Sequence, residues 1–241
     1  MPEEFALLKE RFHAAPVRSI GPREFLAASV GGREIVLVCS RVGKVAAAST
    51  ATTLVQSFGV DALLMTGVAG GIAPEAGIGD IVVADTLIQH DIDLKGVMGC
   101  QRFDIPLLGL SAIPASSELL KIAAEAAHAL VRSDDYARAV AGLAQRAPKA
   151  HCGVVASGDR FINESTERDE LRRLIPRLMC VEMEGAAVAQ VCAEHGVPLA
   201  VCRIISDSAG SGAVVDFQAF IERAAAFGSE RFVAEFLARL P

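Results

Sequence analysis

The sequence predicts a three-layer α/β/α fold, with helices on both faces of a central mixed, mostly parallel sheet, and three observations predict it. Short apolar runs that barely alternate, such as LAVCRII at 199–205, are typical of strands covered by helices on both faces. Helix-patterned segments alternate with those runs along the chain. Ala-rich stretches such as KVAAASTATTLV and GAAVAQVCAEHG keep side chains small, as helices packed closely on a sheet require. The 241 residues suit a single domain. No internal repeat, charge block or Ser/Gly linker marks a second one.

In chain order, strands are expected at 35–39, 62–66, 81–84, 152–156, 179–182 and 199–205. Helices are expected at 3–11, 43–58, 118–130, 136–146, 166–174, 184–195 and 217–240. The Gly- and Pro-containing segment 95–114 reads as a loop excursion over a pocket. Apolar residues make up 52% and aromatics only 5%, with no Trp, so the core must be aliphatic. A formal net charge of −6 argues against nucleic acid or an anionic membrane as the main partner. No apolar run approaches the roughly 18 residues of a membrane span. The acidic start, residues 1–10, is no signal peptide. Six scattered cysteines without a CxxC pair favour buried thiols in a reducing cytoplasm over disulfides or zinc.

Three strand ends carry chemistry. Thr66-Gly67-Val68-Ala69-Gly70-Gly71 reads as a Gly-rich turn after a strand, letting a backbone approach a ligand closely or simply turning the chain. It lacks the spacing of a dinucleotide fingerprint and the ending of a P-loop. Val181-Glu182-Met183-Glu184-Gly185 puts two acids between a strand and an Ala-rich helix, where they either grip a ligand diol or cap the helix. The pair around a Met favours the ligand. Ser206-Asp207-Ser208 follows the most apolar strand, at the end where open α/β sheets bind ligands, and its role stays open on spacing alone. In Ser157-Gly158-Asp159-Arg160-Phe161-Ile162, the aromatic either stacks on a planar base or plugs the core. No nucleophile elbow or metal-ligand spacing is present, and His90-Asp91-Ile92-Asp93 reads as a solvated strand edge rather than a metal site.

The stretches SRVGKVAAA, TGVAGGIAPEAGIGDIVVAD, SGDRFI and VEMEGAAVAQVCAEHGVPLAVCRIISDSA together resemble the 5′-methylthioadenosine/S-adenosylhomocysteine nucleosidases of the purine nucleoside phosphorylase-like superfamily. The resemblance runs in order from Met1 to the C-terminal helix. It implies hydrolysis of the N-glycosidic bond of a 5′-thio-substituted adenosine, releasing adenine and a thioribose, by a homodimer with no metal or organic cofactor. It also implies that Asp207, oriented by Ser206, is the acid that protonates the purine, and that Glu4 activates water. Glu184 would hold the ribose hydroxyls over Met183, with Glu182 beside it. Phe161 and Ile162 would hold adenine, with Ala69 and Gly70 lining the site; Val42 and Phe217 would line the sugar and the 5′-thio pocket.

The sequence departs from the family pattern in places. Val68 stands where many of these nucleosidases carry Ser, and 95–110 does not follow their usual loop. The family opens with a buried strand ending in Gly-Ala just before the Met that Met1 matches, and that strand is absent here. A true start at Met1 would leave Glu4 on a frayed terminus, whereas a mis-assigned or truncated start, favoured because the other motifs are intact, would place a few more residues upstream. Phosphorylases of the superfamily clamp phosphate with Arg and Ser near the Gly-rich segment; Met65 and Val68 here supply neither, which favours water as nucleophile. Arg41, replacing a usual Gly, keeps a phosphorylase reading in play. The missing strand likewise keeps a catalytically silent nucleoside-binding protein in play.

Overall fold

The computed structural model describes residues 2–210 and 212–241, and of Val215 only the backbone. The family match at Met1 and the Ser211 position of the loop after Asp207 lie outside the described residues.

The chain opens with α1 (Pro2–Arg11), followed by a small antiparallel sheet of β1 (Ala15–Ile20), β2 (Arg23–Val30) and β3 (Arg33–Leu37). Helix α2 (Lys44–Phe58) then leads to β4 (Leu63–Gly71), β5 (Ile81–Gln89) and the two-residue β6 (Ile113–Pro114). The middle of the chain holds α3 (Ser117–Val131), α4 (Asp134–Ala139), β7 (Ala150–Ser157), α5 (Ser165–Leu174), β8 (Leu178–Glu182) and α6 (Gly185–His195). It closes with β9 (Leu199–Asp207), α7 (Ala213–Phe220), a π-helical turn at Ile221–Ala225, and α8 (Ala226–Leu237).

The main sheet runs β6-β5-β7-β8-β4-β9, and β9 also pairs with β5, so the sheet curls into a closed circuit. Its long ladders, β4 with β9 and β5 with β7, are parallel, as is β7 with β8; the antiparallel contacts are two or three residues long. Small side chains let α2 (Ala47, Ala51) and α6 (Ala186, Ala189) pack on one face, while α3 and α8 cover the other with Ala123, Ala126, Ala127, Phe232 and Phe236. The expected three layers are therefore present, with a middle layer more tightly curled than a flat sheet. All nine residues of β9 are buried, as its unbroken apolar run requires.

Several elements differ from the sequence reading. β1 and β2 lie outside the expected strands: most of β1 is exposed, so burial left no pattern in it, and β2 buries only the short stretch of Phe25, Leu26 and Ala28. Both hairpin turns use glycine in the left-handed region, Gly21 at φ 55° and the pair Gly31–Gly32 at 59° and 81°. The helix expected at 136–146 begins earlier, where Ser133 caps the Tyr136 amide at 3.2 Å, and stops at Ala139. Gly142, at φ 77°, lies just beyond its end. The helix expected at 217–240 starts at Ala213 and contains the π-helical turn.

A groove of about 800 Å³ separates β3 from β4, lined by Val36, Val38, Leu63, Met65, Leu54 and Phe236 among others. Among the described residues β3 pairs only with β2, and Leu63–Ala69 of β4 only with β9.

Candidate active site

A cavity of about 550 Å³ opens where β8 and β9 end. Its lining includes all twelve residues singled out from the sequence: Glu4, Val42, Ala69, Gly70, Phe161, Ile162, Glu182, Met183, Glu184, Ser206, Asp207 and Phe217.

Asp207 is the last residue of β9 and is buried. Its Oδ1 accepts the Ala209 amide at 2.8 Å and its Oδ2 accepts the Ser206 hydroxyl at 2.9 Å. Burial raises its carboxyl above the usual carboxylate range, with those two hydrogen bonds pulling the other way. Gly70 of β4 makes room for it: a Cβ there would meet Asp207 Oδ1 at 2.9 Å.

Glu182 and Glu184 occupy different environments. Both oxygens of Glu182 are taken up by the chain, accepting from Ser157, Arg203 and the amides of Glu184 (3.0 Å) and Gly185 (2.8 Å to Oε2). The helix-capping reading thus holds for Glu182, which fixes the start of α6. Glu184 accepts the Gly43 amide at 2.9 Å through Oε1 and lies 3.6 Å from Arg203 through Oε2. Burial pushes its carboxyl up, Arg203 draws it down, and the nearby Glu182 carboxylate adds to the rise.

Arg203 is the functional residue that sequence reading passed over. It lies 2% exposed inside the apolar run LAVCRII, its guanidinium bound to Glu182 and facing the Met65 sulfur at 3.4 Å. Burial alone would lower its pKa, but the two acids keep it charged. Its Nε is buried without a hydrogen-bond partner. A lone Arg in a fully apolar strand was the available signal, since a buried charge persists only where acids meet it. The adjacent glycines are explained by it as well. Thr66–Gly71 is not a turn: β4 continues to Gly71, and at Gly67 the missing side chain leaves space for the Arg203 guanidinium.

Glu4 sits in the first turn of α1, only 4% exposed, and is not frayed. The Ser229 hydroxyl of α8 donates to it at 2.5 Å, and Thr66 stands 3.4 Å behind Ser229. Phe161 and Phe217 meet edge to face, their centroids 5.7 Å apart, while Ile162 is buried beside them. Val42 is 64% exposed at the mouth. Of the six cysteines expected to be buried, Cys180, Cys192 and Cys202 are: burial pushes Cys192 up to about 12 and raises the other two further, which leaves these three as inert thiols. Cys152 is exposed, and Cys39 and Cys100 are half-buried.

Residues 1–238 match the model of the phosphorylase superfamily. A 5′-methylthioadenosine/S-adenosylhomocysteine nucleosidase of Anoxybacillus flavithermus is 35% identical over 230 residues, 95% of this chain and 92% of that protein. Among solved structures, the nucleosidase of that name from Colwellia psychrerythraea, in complex with adenine, superposes with a TM-score of 0.87 at 32% identity, covering 100% of this chain and 92% of the other. The futalosine hydrolase of Helicobacter pylori superposes with a TM-score of 0.85 at 32% identity, covering 100% and 95%. The chain belongs to the phosphorylase superfamily, among its 5′-methylthioadenosine/S-adenosylhomocysteine nucleosidases. In this nucleosidase, Met65 and Val68 line the cavity as apolar groups, and Arg203 brings the cation of the Gly-rich strand from the neighbouring β9 instead. Among the described residues no helix is long and apolar enough to cross a membrane.

Proposed function

We propose that this chain hydrolyses the N-glycosidic bond of 5′-methylthioadenosine and S-adenosylhomocysteine, releasing adenine and a 5-thioribose product. One observation carries the reading: Asp207, Glu184 and Glu4 face a single cavity, and the first of them is held toward its protonated form by burial. Protonated Asp207 donates to purine N7, while its other oxygen accepts from the 6-amino group, which favours adenine over 6-oxopurines. As the C1′–N9 bond breaks, its electron pair leaves with the base and positive charge builds on the sugar. Glu184 accepts from the ribose hydroxyls, Met183 packs beneath the ring, and Phe161 and Ile162 hold the base. Glu4 takes the proton of the water that adds to C1′. Glu182 and Arg203 are positioning residues, the first fixing the second and both framing Glu184.

Water is favoured over phosphate because Arg203, the cation beside the Gly-rich strand, is already matched by two carboxylates. The test is chromatographic: adenine is released from either nucleoside in phosphate-free buffer. Turnover that requires added phosphate would make the protein a phosphorylase, and tight adenine binding without turnover would make it a silent binder.

Three coarser expectations belong to the same reading. A homodimer is supported by the exposed apolar side chains of Val45, Met98 and Leu107, and is tested by light scattering. A cytoplasmic location is supported by six free cysteines. A single domain with room for one more strand is supported by the groove between β3 and β4, whose facing strands are each paired on one side only.

A further inference from the structure

We infer that Arg23 and Arg41 form an anion subsite at the outer part of the cavity, taking the carboxylate of an amino-acid tail on the 5′-sulfur. This rests on the nucleosidase reading and adds the residues that would recognise the 5′ tail.

Four arginines border the cavity. Arg203 is matched by Glu182 and Glu184, and Arg160 by Glu167. Arg23 and Arg41 have no carboxylate partner among the described residues. Arg23 is anchored: its Nη2 donates to the Ala46 carbonyl at 3.0 Å, while its Nε is buried with no partner. Arg41 keeps a φ of 69°, a left-handed conformation costly for a long side chain such as arginine, and strain held at a cavity rim points to use.

Their place in the chain gives them a target. Gly43, whose amide holds Glu184, lies two residues after Arg41 and three before Ala46, the residue that anchors Arg23. A nucleoside with its base on Asp207 and its hydroxyls on Glu184 has only its 5′ substituent left to place. The lining not used by base or sugar includes Phe5, Pro22 and these two arginines, with Val42 bordering both the sugar and this region. An apolar stretch ending in cations suits a thioether chain that ends in a carboxylate, which a guanidinium meets with two parallel hydrogen bonds. Glu24 borders the same region, exposed and without an ion-pair partner among the described residues, and suits the α-ammonium.

The test compares kcat/KM for S-adenosylhomocysteine with that for its decarboxylated analogue, 5′-(3-aminopropylthio)-5′-deoxyadenosine, which lacks only the carboxylate. The expected preference for S-adenosylhomocysteine is about tenfold or more, the scale of a charge-assisted hydrogen bond. Arg41→Gly, which also relieves the backbone, and Arg23→Met each bring that ratio toward one. A ratio near one in the parent protein, or one that neither substitution moves, overturns the proposal while leaving the hydrolase standing. Acceleration by inorganic phosphate that Arg41→Gly abolishes also overturns it, because the anion held there is then phosphate. No adenine from these compounds or from 5′-methylthioadenosine overturns the hydrolase reading and the proposal together.

Discussion

The inner and outer parts of the cavity are built on opposite terms. Inside, the acids assigned to chemistry are held by the chain, with Asp207 and Glu4 buried and Glu184 largely so: Asp207 by Ser206 and Ala209, Glu184 by Gly43, Glu4 by Ser229. Outside, Arg41 and Glu24 are exposed, and neither has an ion-pair partner among the described residues. The difference separates two demands. Bond breaking needs groups fixed and desolvated before the substrate arrives, because reorganisation then costs nothing at the transition state. Selecting a tail needs groups left unsatisfied until the right ligand meets them.

Substitutions along the cavity can break or sharpen that contrast. Replacing Arg203 with Met leaves Glu182 buried without its cation, and unfolding in urea should show a loss of about 3–5 kcal/mol. Removing the acid as well, in Arg203→Met with Glu182→Leu, should restore much of it, because the uncompensated charge is gone. Glu4→Gln should lower kcat for adenine release by about 10³-fold while adenine still binds, measured by single-turnover kinetics and calorimetry. Ser229→Ala should lower kcat about tenfold with little change in KM, the signature of a positioning residue acting through Glu4. The smallest effect belongs outside. Glu24→Gln should change KM for S-adenosylhomocysteine about twofold and leave kcat alone, as expected of an exposed charge.

The inner region was the more legible in the sequence, and for a physical reason. A charged or hydroxylic residue at the end of an apolar strand is conspicuous, so Asp207, Ser206 and the two glutamates stood out. What distinguishes Glu182 from Glu184 is which donors reach them, and those come from β7 and β9 and from the segment before α2, elements that only folding brings together. Ser229 was invisible for the same reason: it lies 225 residues from Glu4 in an ordinary amphipathic helix. The main strands followed from their continuous apolar runs, but the curl that joins β5 to β9 rests on a three-residue register that no local pattern encodes. β1 escaped notice because most of it is exposed, and β2 because its buried Phe25, Leu26 and Ala28 make too short a run to stand out. Their signal was in the turns, where Gly31–Gly32 marks a hairpin.

The central claim is that Asp207 delivers its proton to the leaving base. Because burial raises its pKa, the active protonated form persists above the usual carboxylate range and is lost as pH rises through the raised value. The measurement is kcat for adenine release from 5′-methylthioadenosine against pH, in phosphate-free buffer, for the parent and Asp207→Asn. The expected result is a rate that falls on the alkaline side of that raised pKa, with the variant about 10³-fold slower and without that limb. A variant within tenfold of the parent, or a parent rate that climbs as Asp207 loses its proton, would contradict it.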